Sequence, residues 1–140
     1  MAALRRAARL RGDDRGQAII EFAILVPIFA VLLYGMVEMG RAWSTYQVVT
    51  DAARQGARSV ALASGSTEAQ IRSGIKSVLQ GGSLAPDRAT IEITGFGAAT
   101  GTPVEVVVRY PFQFLFAGPW QGPESASQLV LKSTAVMRKE

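Results

Sequence analysis

Glu21 is a single carboxylate at the mouth of a long apolar segment, five residues after Gly16. The 16 residues from Phe22 to Val37 carry no charge. A carboxylate at the edge of such a segment costs about 1–3 kcal/mol on membrane-insertion scales, depending on its depth. Charged residues kept at such positions usually have a function, so Glu21 is the first candidate for a functional residue.

The residue types needed for most catalytic and metal chemistry are missing from the chain. It contains no cysteine and no histidine, which excludes disulfides, thiolate metal sites and the commonest general base. No nucleophile elbow is present, and Gly95-Phe96-Gly97 lacks the remainder of a phosphate-binding loop. We therefore expect no enzymatic activity, no metal and no cofactor.

The apolar segment indicates a membrane anchor and its orientation. Residues 18–37 would form about 30 Å of helix, which is the thickness of a bilayer's hydrocarbon core. Five arginines precede the segment: Arg5, Arg6, Arg9, Arg11 and Arg15. The positive-inside rule therefore predicts a cytoplasmic N-terminus and an external location for residues beyond about 43. Trp43 and Tyr46 would then lie in the outer aromatic belt.

The distribution of charge argues against a nucleic-acid partner. The net charge is +4, but from Gln17 onwards the chain holds 10 basic and 9 acidic residues. The excess of basic residues therefore belongs to the leader, where it is explained by membrane orientation rather than by phosphate binding.

The helix that begins in the membrane is predicted to continue well beyond it. Apolar or small residues recur every three or four positions from Trp43 to Val60, which indicates an amphipathic helix. Pro27 should kink this helix within the membrane. We therefore divide the chain into a basic cytoplasmic leader (1–16), a long helix (17–63, transmembrane over about 18–40) and an extracytoplasmic domain (64–140).

The sequence after residue 64 predicts a small α+β domain. A second helix is predicted from Thr67 to about Leu79, followed by strands at 90–94, 104–110 and 129–137. Pro111 should end the second strand or place it at a sheet edge. The simplest closure is a three-stranded antiparallel sheet packed against a helix, and so short a domain should also pack on the long helix.

Two further patches are candidates for contacts. Small residues four apart on the long helix would allow another element to approach closely: Ala52, Ala53, Gly56 and Ala57. That element is either a neighbouring subunit's helix or the chain's own sheet. An aromatic run follows the second strand and is either core or a partner surface: Phe112, Phe114, Phe116 and Trp120.

Three patches of sequence resemble the TadE-like minor pilins, or pseudopilins, of the tight-adherence (Flp) type IV pilus system. The first runs from Arg15 to Pro27 and contains the glycine, the glutamate five residues later and the proline inside the helix. The second is residues 52–58, and the third, weaker by itself, is residues 135–140. Phe22 stands where the major Flp pilins carry a tyrosine, which favours a minor pilin over the major subunit.

The resemblance implies a set of roles and partners. A prepilin peptidase would cut between Gly16 and Gln17, and Glu21, Phe22 and Pro27 would serve assembly and axial register. The implied partners are that peptidase, other pilin or pseudopilin subunits, the inner-membrane assembly platform and membrane lipid. The implied location is the bacterial cytoplasmic membrane, with possible incorporation into an extracellular pilus that mediates surface adherence.

Other readings of the same residues stay open. In a plain signal anchor, Asp14 would cap the helix, Gln17 would complete a capping box and Glu21 would face lipid headgroups. The chain would then be an uncleaved, single-pass adaptor of a secretion or pilus machine. An ordinary cleaved signal is disfavoured because residues 35–40 offer no small-residue cleavage site. A binding module whose aromatic loop holds a ligand is the third class.

Overall fold

The computed structural model describes residues 14–62, 65–115 and 128–140. Helix α1 is Asp14–Ala61 and helix α2 is Glu68–Gly81, followed by a short 3₁₀ helix at Pro86–Arg88. The strands are β1, Thr90–Thr94; β2, Pro103–Gln113; and β3, Gln128–Arg138. They form one antiparallel sheet in the order β1-β2-β3. The predicted α+β fold, with a long helix, a second helix and a three-stranded sheet, is confirmed.

The chain divides into two compact units, Met1–Met39 and Gly40–Glu140. This division lies within α1, whereas the sequence-based boundary was placed after the helix, at residue 64. The reason is that the second half of α1 supplies core residues to the domain, so the domain cannot be separated from it.

The first unit contains the apolar part of α1. Within the described residues, α1 is the one helix long and apolar enough to cross a membrane, and its most apolar window contains no buried residue. Large apolar side chains are exposed around it, among them Ile19, Phe29 and Met36. The helix continues through Pro27. Such a surface is suited to lipid or to other apolar helices.

The second unit is built around one face of α1. Val49, Ala53 and Val60 have almost no exposed surface, as the predicted amphipathic stripe requires. The stripe does not extend back to the aromatic residues, however: Trp43 is 63% and Tyr46 is 40% exposed. In this part of α1 the buried residue is Thr45, which is 9% exposed, and not either of the two aromatic residues.

Helix α2 begins with a capping box that sequence reasoning did not identify. The Thr67 side chain accepts the Gln70 amide, and the Gln70 side chain accepts the Thr67 amide. This satisfies two of the amide groups that a helix start leaves without partners. The buried stripe of the helix faces the core and consists of Ile71, Ile75 and Leu79.

Helix α2 ends in a hydrogen-bonded cap. The Leu84 amide donates to the Leu79 carbonyl and the Ser83 amide to the Gln80 carbonyl, which is a Schellman arrangement. The residue in the left-handed region is Ser83, with φ 60°, rather than a glycine. Gly82 is required for space instead, because a Cβ there would lie 2.4 Å from Val48 Cγ1.

Pro111 lies inside β2, which is the central strand, so the prediction that it ends the strand or marks an edge strand is wrong. The reason is the shortness of β1, whose pairing ends at Thr90↔Arg109. Beyond Arg109, among residues 14–62, 65–115 and 128–140, β2 has a strand neighbour only on its β3 side, where Pro111 faces Val130. A residue without an amide proton is tolerated there because no ladder bond is required on the open side.

Gly56 of α1 is closely packed in the core. A Cβ at this position would lie 2.7 Å from Ile75 Cδ1 and 3.2 Å from Val106 Cγ1. Ile75 belongs to α2 and Val106 to β2, and both are buried. Gly56 is thus the point where α1 touches both other layers of the domain.

We predict opposite effects for alanine at two helical glycines. Gly56→Ala should lower the free energy of unfolding of the domain by about 1–3 kcal/mol, because the added methyl overpacks the core. Gly74→Ala, on the exposed face of α2 with no atom within 4 Å of the new Cβ, should raise it by about 0.5–1 kcal/mol. Denaturant unfolding of the micelle-solubilised chain measures both. Equal effects of the two changes would contradict this account of the packing.

Candidate functional site

The predicted processing and assembly residues lie in the first turns of α1. The Gln17 side-chain amide donates to the Glu21 carboxylate over 3.0 Å. Glu21 and Phe22 are exposed on the helix. The carboxylate therefore has a polar partner one turn away, and the Gln17 side chain points along the helix to Glu21. The leader before Asp14 lies outside the described residues.

Gly16 lies inside the first turn of α1 and not in an extended segment. A peptidase binds its substrate in extended form, so cleavage after Gly16 requires the first turn to open. Opening is inexpensive at a helix end, where the first amide groups lack helical partners and glycine disfavours the helix by about 1 kcal/mol. The position of Gly16 is therefore compatible with cleavage.

A second acid in the helix has a partner that sequence reasoning missed. The Tyr34 hydroxyl donates to the Glu38 carboxylate over 2.8 Å, and Glu38 is only 4% exposed. Tyr34 lies four residues before Glu38, and this spacing is the sequence signal that could have identified the pair. The hydrogen bond from Tyr34 lowers the free-energy cost of placing the Glu38 carboxylate next to the apolar segment.

The four small residues of α1 lie in the chain's own core. Ala52, Ala53 and Ala57 are 0% exposed, and Gly56 is buried against α2 and β2. Of the two elements considered for this face, the structure places the chain's own domain there. Arg54 and Arg58, which alternate with the small residues, are exposed on the opposite side.

The aromatic run divides into residues with different surroundings. Phe112 is 3% exposed and packs edge-to-face on Phe114, with ring centroids 5.3 Å apart. Of the two alternatives considered for the aromatic run, Phe112 is buried as a core residue would be, because it alternates inward along β2. Phe114 is 41% and Leu115 69% exposed, so these two can contact a partner. Phe116 and Trp120 lie outside the described residues.

In the part of the chain that the structure describes, no three His, Cys, Asp or Glu side chains come together as metal ligands would. The charged side chains that do meet form ion pairs on the surface, such as Arg72 with Glu68 and Lys76 with Asp87. Arg109 and Glu92 pair across β1 and β2. Pairs of this kind between partly exposed side chains contribute little to stability.

Comparison with known proteins gives one finding. No curated protein and no solved structure matches the chain. A family model described as TadE-like protein matches residues 16–58. The match begins at the glycine of the predicted processing site, covers the apolar part of α1 and ends two turns after the small-residue segment begins. Residues 16–58 are therefore a TadE-like segment, and the resemblance drawn from the sequence motifs is confirmed over that range.

Proposed function

We propose that this chain is a minor pilin, or pseudopilin, of a Tad-type pilus. The observation that carries the proposal is the TadE-like match over residues 16–58, which coincides with a helix that is exposed and apolar first and buried in the domain later. A pilin-like subunit needs both properties, because the same helix must lie in the membrane and hold the external domain. The proposed role is structural, in pilus initiation or assembly and hence in surface adherence, and involves no catalysis.

In this proposal the chain inserts into the bacterial cytoplasmic membrane with its arginine-rich leader inside. Prepilin peptidase cuts after Gly16, which creates a new α-amino group on Gln17. The Glu21 carboxylate of a neighbouring subunit pairs with that amine, because an unpaired charge in hydrocarbon is costly. The pairing sets the axial register between subunits. The remaining partners are other pilin or pseudopilin subunits, the inner-membrane assembly platform and lipid.

A second function is favoured by one specific contact. The hydrogen bond donated by the Gln17 side chain gives the Glu21 carboxylate a partner within its own helix. An uncleaved, single-pass anchor could therefore keep Glu21 at the headgroup level without a neighbouring subunit. In that case the domain would act as a membrane-bound adaptor of a secretion or pilus machine.

Cleavage separates these two functions most directly. The mature protein from cells with active prepilin peptidase should begin at Gln17, and Gly16→Val should leave the arginine-bearing precursor in the membrane. Gly35→Val, at a glycine of the same helix with open space around it, is the matched control and should still be processed. N-terminal sequencing measures this. A mature protein that begins only at Met1 or Ala2 would contradict the proposal.

The orientation can be tested with single cysteines, because the chain contains none. Ser73→Cys, at an exposed site on α2, should react with an impermeant thiol reagent in spheroplasts. Ala7→Cys, made together with Gly16→Val so that the leader is retained, should react only after lysis. These results follow from the arginine asymmetry around the apolar segment. The reverse labelling pattern would refute the orientation.

Glu21 distinguishes assembly from anchoring. Glu21→Ala removes a charge from the membrane edge, so insertion should become easier by about 1–3 kcal/mol. Pili should nevertheless be few or absent, because the partner for the Gln17 amine is lost. Glu21→Asp should recover part of the function and Glu21→Gln should not, since the negative charge is the required property. Normal piliation by Glu21→Ala, at equal protein level and without a second pilin substituting, would favour the anchor.

A further inference from the structure

The two edges of the sheet differ in what lies beside them. At β1, Arg72 of α2 donates to the Ile91 carbonyl over 2.7 Å, and the strand is 5 residues long. Where β2 extends past β1, Arg88 donates to the Pro111 carbonyl over 3.3 Å. Shortness and charged side chains along an edge are ordinary means by which proteins prevent unwanted strand pairing. The β1 side of the sheet is therefore protected.

The β3 edge has no such protection within residues 14–62, 65–115 and 128–140. Strand β3 is 11 residues long and pairs with β2 along its whole length on one side. On its other side, no group of those described residues forms a hydrogen bond with it. A long edge strand presents a row of amide and carbonyl groups to which another strand can be added.

The side chains of β3 alternate between the core and an exposed face. Ser133 and Ala135 are buried. The exposed face has a valine at each end and a lysine and a threonine between them: Val130, Lys132, Thr134 and Val136. The two valines are 54% and 61% exposed. The side chains of an added strand would lie level with these, so apolar residues are expected opposite the two valines.

The lysine of this face has no acidic partner in the part of the chain that the structure describes. Lys132 lies directly opposite Arg109 of β2, and like charges in that position are destabilising. Arg109 forms an ion pair with Glu92 of β1, but no described carboxylate pairs with Lys132. Strand β3 itself contains no Asp or Glu. An acidic residue on a strand added beside β3 would supply the missing charge.

We propose that β3 binds an extended segment of a different protein by strand addition, with an acidic residue of that segment opposite Lys132. A second copy of this chain fits less well. Its β3 would bring another lysine and no acid, and the Glu92 carboxylate of its β1 is already paired with Arg109. The proposal goes beyond the pilin function. It rests on residues of the second compact unit alone and depends on neither cleavage nor a membrane.

Binding is measured by amide chemical shifts of the isotopically labelled full chain in non-ionic micelles, titrated with a synthetic heptapeptide. The peptide has valine at both ends, threonine at its third position, glutamate at its fifth and serine elsewhere. In an antiparallel pairing its glutamate lies opposite Lys132 when its valines lie opposite Val136 and Val130. The peptide should bind, and the changes in shift should concentrate on β3 rather than on β1.

Exchange of charge between the chain and the peptide tests the role of Lys132. Lys132→Glu should lower the affinity for the glutamate peptide about two- to tenfold, and raise it by a similar factor for a peptide with lysine at the fifth position. The variant should fold, because it places a carboxylate opposite Arg109. Arg54→Glu, the same change at an exposed site on α1, is the matched control and should have little effect on either affinity.

Two N-methylated peptides separate strand addition from attraction between charges. The amide groups of a strand point alternately to its two sides, so an added strand pairs through those of one side. One analogue is methylated at its even positions and the other at its odd positions. The analogue whose methyl groups face β3 should bind about tenfold more weakly than the other, because its ladder bonds are lost.

Each measurement has an outcome that overturns the proposal. Absence of binding to the wild-type chain would do so, as would changes in shift confined to β1. Equal affinities of the two methylated analogues, or equal effects of Lys132→Glu and Arg54→Glu, would show attraction without strand pairing. Shifts on β3 that depend on the concentration of the chain alone, without peptide, would assign this edge to a second copy instead.

Discussion

The close contact of α1 with both α2 and β2 at Gly56 is the constraint on which the domain depends. The sheet has one face to bury and α2 has one stripe to bury, and both are buried on the same helix. The helix must therefore present side chains small enough for two layers to approach it. Ala52, Ala53 and Ala57 serve that purpose around Gly56, and Gly82 serves it again where α2 ends near Val48.

This arrangement gives one helix two different surfaces along its length. In the first part, large apolar side chains such as Phe22 and Phe29 are exposed. The later part exposes charged side chains on one side and buries small side chains on the other. The change between them takes place near Met39, where the chain divides into its two compact units. The TadE-like segment, residues 16–58, covers both surfaces.

Local patterns in the sequence predicted the elements well, because strands and helices impose periods of two and 3.6 residues. The alternation in Thr90–Thr94 and the β-branched run in β2 placed two strands within a few residues of their ends. Errors arose where distant residues decide the outcome. Pro111 could not be interpreted without knowing how short β1 is, and the need for Gly82 depends on Val48.

The burial of small residues on α1 has a consequence for the order in which the chain folds. Val49, Ala53 and Val60 are synthesised before the strand that covers them. Until β2 arrives, this stripe and the interior of α2 have no sheet to pack against. The domain therefore cannot complete its core one element at a time, and contacts between residues far apart in sequence slow such folding. Until β2 is in place this face of α1 stays exposed, so the interval before β2 packs is the period when wrong association is most favoured.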